Sequence, residues 1–89
     1  MLDLFGLNVR QTSKGVIITE IRPGSAAEKG GLKEGEAIRR AFYEGSAKMN
    51  IYAVRGLESV LKRAVRKHKK IINILQDENY YHKVEVPEI

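Results

Sequence analysis

The sequence predicts a small α+β fold, a partly open β-barrel or sandwich of five to six short strands with two helices. Three observations carry that expectation. Short runs that alternate or are rich in β-branched residues recur along the chain. One window repeats its apolar residues at helical spacing. Gly and Pro clusters separate these runs.

Residues 4–12 read as a first strand, with Phe5, Leu7 and Val9 on one face. Ser13, Lys14 and Gly15 form a turn. Residues 16–21, Val-Ile-Ile-Thr-Glu-Ile, predict a second and more buried strand, because branched side chains suit a pleated, packed surface. Pro23 and Gly24 stop it. Ser25 with Glu28 three residues later fits a capping box, each side chain satisfying a backbone donor of the other, and Gly30 or Gly31 ends the short helix. Residues 32–35 make a turn, residues 37–43 a third strand and residues 44–55 a loop. Leu57, Val60, Leu61, Ala64 and Val65 lie on one face of a helix of about three turns. Residues 70–75 and 80–86 form a final pair of strands around a turn at Asp77, Glu78 and Asn79, and Pro87 ends the pairing. No internal repeat interrupts this order, so residues 1–89 read as one domain, excised from a larger protein.

The composition is that of an ordinary globular domain, 43% hydrophobic and 30% charged. With 0 Cys there is no disulfide framework and no thiolate metal site. Two separated histidines without a carboxylate–histidine motif predict no metal site, and no cofactor is expected. No apolar run approaches the ~20 residues of a membrane span, so membrane insertion is not expected, and no signal peptide is legible. The formal net charge of +5 is concentrated in residues 62–70, K-R-A-V-R-K-H-K-K. That run reads either as a solvated helix end, where cations are favourable, or as a docking surface for acidic partners or a phosphate backbone. It has no interleaved aromatics to stack on bases, and a nucleic-acid partner is not expected.

The step Phe5-Gly6-Leu7 carries the functional expectation. A glycine there permits a turn closed to other residues, and successive amides in such a turn converge on an anion. Beside an apolar wall this suits a peptide C-terminus, its carboxylate in the amide nest and its backbone extending the sheet. A Gly6→Val variant is expected to keep the fold and lose the anion. Catalysis is not expected: Ser25 is committed to a helix cap, and no serine stands in the context of a triad.

Three further motifs extend the argument. Gly15-Val16-Ile17-Ile18-Thr19-Glu20-Ile21 is followed by Pro23-Gly24-Ser25-Ala26-Ala27 and then by Gly31-Leu32-Lys33-Glu34-Gly35-Glu36-Ala37-Ile38. In this order they resemble a PDZ domain of the bacterial HtrA (Deg) serine-protease type. The resemblance is close over residues 4–41 and looser over 54–86. Three departures stand out. Glu36 replaces the usual aspartate, residues 42–53 are longer than usual, and Glu58 occupies the helix position that often holds histidine in animal PDZ domains. The resemblance implies that the amides of Phe5, Gly6 and Leu7 face a peptide carboxylate. It implies a pocket lined by Phe5, Leu7 and Val9, and a groove completed by Glu58, Lys62 and Val65; Val65 reads equally well as core. The implied partners are C-termini of peptides or unfolded proteins, and an adjacent protease domain. The implied role is substrate tethering or gating of that protease, in the periplasm or cell envelope. A scaffold module of another membrane-protease or secretion protein is the alternative.

Overall fold

The most β-branched run becomes the middle of a first sheet. The computed structural model describes residues 1–77 and 79–88. In it, β2 (Gly15–Ile21) lies between β1 (Leu7–Thr12) and β3 (Ala37–Ile38), antiparallel to both. Val16 and Ile18 are fully buried, as the branched run requires. The register of β1 on β2 shifts between Asn8 and Val9, a local irregularity of the kind that sharpens strand twist. A second antiparallel sheet takes the order β5-β4-β6-β7, from β4 (Arg40–Tyr43), β5 (Met49–Asn50), β6 (Ile71–Leu75) and β7 (Tyr81–Glu85). The helices are α1 (Leu2–Phe5), α2 (Ala26–Lys29) and α3 (Val54–Arg66). The expected α+β architecture is therefore present as two small open sheets with helices against them.

Four differences from the sequence reading have physical causes. Residues 2–5 form a helical turn, so the first strand begins at Leu7 and not at residue 4. Gly6, at φ 81°, reverses the chain direction between them. That turn buries Phe5 completely and packs Met1, Leu2 and Leu4 on the core. The third predicted strand is split: Ala37 and Ile38 pair with β2, whereas residues 40–43 pair with β5 and β6. At the switch the Arg39 amide donates to Leu75 O at 2.7 Å and its carbonyl accepts from Ile51 N at 2.9 Å, so no backbone group is lost. Residues 44–55 are not all loop, since β5 lies within them and α3 begins at Val54. The capping box is half formed: Ser25 Oγ accepts from Glu28 N at 3.2 Å, but the Glu28 carboxylate accepts from Gly24 N at 2.7 Å instead of from Ser25. The expected turn at Asp77, Glu78 and Asn79 includes Glu78, which lies outside the described residues.

Helices α2 and α3 end in the same way. After α2, Gly31 N donates to Glu28 O at 3.0 Å and Leu32 N to Ala27 O at 3.2 Å, with Gly31 at φ 82°. After α3, His68 N donates to Val65 O and Lys69 N to Ala64 O, both at 3.0 Å, with His68 at φ 54°. Both are Schellman ends, and the second places an ordinary side chain where glycine is favoured. Between the sheets, Ile18, Ile38, Leu57, Leu61, Ile72, Ile74 and Val84 form the buried centre. Gln76 is a polar side chain buried beside it. Only 1% exposed, it accepts from Lys33 N at 2.8 Å and donates to Lys33 O at 2.9 Å, fixing the turn before β3 to the end of β6.

Candidate functional site

Strand β1 is the outer strand of its sheet, and its far side faces α3. An edge strand offers unpaired N–H and C=O groups to another chain. The gap between β1 and α3 is bracketed by two hydrogen-bonded bridges. At one end the Glu58 carboxylate, on the second turn of α3, accepts from Leu2 N at 3.0 Å. At the other, Gln11 Nε2 donates to Tyr52 O at 2.9 Å and Gln11 Oε1 accepts from Val54 N at 3.1 Å. The second bridge satisfies a free donor at the start of α3, whose N-cap Ala53 makes no side-chain cap bond.

The first end opens into a cleft of about 290 Å3 lined by Met1, Leu2, Asp3, Leu7, Asn8, Val9 and Glu58. Of the residues expected at the site, the fold thus gathers Leu7, Val9 and Glu58 in one place. Phe5 is absent from this lining: at 0% exposure it is a core residue, held inward by α1. Val65 is 5% exposed, packs in the core and borders a separate cleft of about 690 Å3 with His68, Lys69, Lys70, Glu85 and Val86. Lys62 is exposed and borders neither cleft.

The amide nest takes a different form from the one expected. Gly6 N donates to Asp3 O at 3.1 Å, closing α1, so in this conformation it is not directed at a free anion. Gly6 O accepts from Arg22 N at 2.9 Å, and the Arg22 guanidinium reaches Asp3 Oδ1 at 3.0 Å. Gly6 also sits directly against Ser25: a Cβ built on it would stand 2.5 Å from Ser25 Oγ. The glycine is therefore required by packing and by its positive φ, and a Gly6→Val variant that leaves the fold intact is not compatible with this geometry. Two carboxylates, Asp3 and Glu58, border the cleft at the end where a peptide carboxylate was expected.

The basic run is partly committed elsewhere. Lys67 and Lys69 place their ammonium groups 5.6 and 5.7 Å from the centre of the Tyr43 ring. Such contacts hold a cation near an aromatic face without neutralising it. No signal in the sequence linked Tyr43 to those lysines, because the pairing depends on β4 lying beside the end of α3. Tyr81 meets Phe42 edge to face at 5.0 Å, and Tyr80 stays 55% exposed above His82. Ser25 Oγ is the acceptor at the start of α2, the capping role read from its sequence context. Among the described residues, no three His, Asp or Glu side chains are grouped to hold a metal ion.

No curated protein and no solved structure matches the chain. The family model of the PDZ domain matches residues 2–41, from α1 through the first sheet and into β4. PDZ domains are non-catalytic modules of protein–protein interaction that bind peptides, C-termini above all. Over those residues, and in its pair of open antiparallel sheets, the chain is similar to a PDZ domain.

Proposed function

We propose that the domain captures C-termini or extended segments of partner or unfolded proteins by adding them as a strand to β1, between β1 and α3. The observation that carries this reading is the outer position of β1 beside the cleft formed by Leu7, Val9 and Glu58. Backbone pairing supplies sequence-independent affinity, and the side chains of the cleft supply preference. Binding of a carboxylate at the Leu7 end requires α1 to shift, because the Gly6 amide and the Glu58 carboxylate are both engaged there. In a parent of the HtrA type the captured segment is a substrate tethered beside a protease domain, or a signal that gates it, in the periplasm or cell envelope. Calorimetry with an apolar-ended peptide and with its C-terminal amide is the test. Micromolar binding of the peptide, about −8 kcal/mol, that amidation leaves unchanged supports strand addition alone, and weaker binding of the amide adds capture of the terminal carboxylate. Absence of binding by any extended peptide refutes the reading.

A second reading rests on the basic end of α3. Lys62, Arg63, Arg66, Lys67, Lys69 and Lys70 form no ion pair among the described residues. Docking of an acidic protein segment there is marked by strong salt dependence and by indifference to changes in β1.

A further inference from the structure

Beyond Gln11 the groove runs into a cleft of about 510 Å3 that sequence reading did not single out. Its lining carries Lys14, Arg39 and Arg40 and no carboxylate. We infer that this cleft is an acid-selective subsite for the same peptide, receiving Asp or Glu side chains at the fifth and sixth positions from the C-terminus. The inference rests on the reading of β1 as the receiving strand.

Four observations support it. The first is continuity. Strand β1 begins with Leu7 in the Glu58 cleft and ends with Gln11 and Thr12 in this one. A peptide whose terminus lies beside Leu7 and which advances about 3.3 Å per residue reaches Thr12 with its sixth residue from the end, provided that the Gln11 side chain swings off Tyr52 O and Val54 N to let it pass. The second is the state of the cations. Arg40 Nε donates to Asn50 Oδ1 at 2.9 Å, which orients the guanidinium. Its two terminal nitrogens have no partner among the described residues and suit a carboxylate bidentately. Lys14, exposed at the β1–β2 turn, forms no ion pair among the described residues. Arg39 is half used, on Asp77 Oδ1 at 2.7 Å and Lys14 O at 2.8 Å, and so braces the Lys14 turn. The third is Tyr52, which borders the cleft at 76% exposure and offers a hydroxyl and a ring to whatever enters. The fourth is the contrast along the groove: Asp3 and Glu58 border one end and three cations the other, so an acidic side chain on an incoming strand is favoured at the cationic end and disfavoured at the Leu7 end.

The test uses two fluorescent decapeptides ending in three valines, identical except for Glu-Glu or Gln-Gln at the fifth and sixth positions from the end. Anisotropy titrations at low salt should show the Glu-Glu peptide about fivefold tighter, the scale of two partly screened rim pairs. The preference should shrink on raising salt from about 50 to about 500 mM. It should reverse in Lys14→Glu and in Arg40→Glu. Lys14 lies in an exposed turn, so its variant keeps the test valid even if Arg40→Glu fails to fold. Equal binding of the two peptides overturns the subsite and leaves strand addition standing. Failure of both peptides to bind overturns the two readings together.

Discussion

Replacing Gly6 by alanine tests how the receiving end of the groove is built. Two costs are expected. The residue sits at φ +81°, where an L side chain costs about 1–2 kcal/mol. Its new Cβ would stand 2.5 Å from Ser25 Oγ and closer still to Ser25 Cβ, so the α1 and α2 ends must move apart. Overpacking of that kind costs about 1–3 kcal/mol. Together Gly6→Ala should lower the stability by about 2–5 kcal/mol, a large part of the ~5–15 kcal/mol of an ordinary domain. Urea denaturation reads this as a lower midpoint with an unchanged slope. The two costs separate in a double variant. Ser25→Gly removes both clashing atoms, while glycine at an N-cap costs only about a few tenths of a kcal/mol. Gly6→Ala with Ser25→Gly should therefore recover the packing share, about 1–3 kcal/mol, and retain the backbone share. A Gly6→Ala protein within about 0.5 kcal/mol of the parent would refute both terms. A double variant no better than the single one would show that Ser25 is not the obstacle, and that the approach of α1 to α2 is misread.

Three further outcomes follow from the same geometry. Glu58→Ala releases Leu2 N from its clasp; with the carboxylate half exposed, the gain in peptide affinity should be about two- to fivefold by calorimetry, and a loss of affinity would make Glu58 a ligand contact instead of a latch. His68→Gly relieves a side chain held at φ 54° and should stabilise the domain by about 0.5–1 kcal/mol, a rise of ~2–8 °C in Tm by calorimetric melting, whereas a fall would mean that the His68 side chain itself supports the end of α3. Gln76→Ala removes the buried amide that bonds Lys33 N and Lys33 O and should cost about 2 kcal/mol in chemical denaturation; a cost under about 0.5 kcal/mol would mean that water replaces the amide there.

The sequence by itself determined the elements whose signals are local. The branched run of residues 16–21, the periodic face from Leu57 to Val65 and the Ser25 cap depend on neighbours within a few positions, and each appears in the fold. The apolar–Gly–apolar step was legible too, but not its meaning. Alternation of Phe5, Leu7 and Val9 suggested one strand face, and only the packing of Met1, Leu2 and Leu4 on the core shows that residues 2–5 turn as a helix and bury Phe5. Tertiary structure alone decided which residues meet across the groove. Glu58 touches Leu2 at a separation of 56 residues, and Gln11 reaches Val54 at a separation of 43. Such contacts leave no periodic trace in sequence, because they depend on how two sheets sharing one chain segment are set against α3. The split of residues 37–43 has the same origin. Both halves are strand by local preference, and only the presence of β2 on one side and β6 on the other assigns them to different sheets.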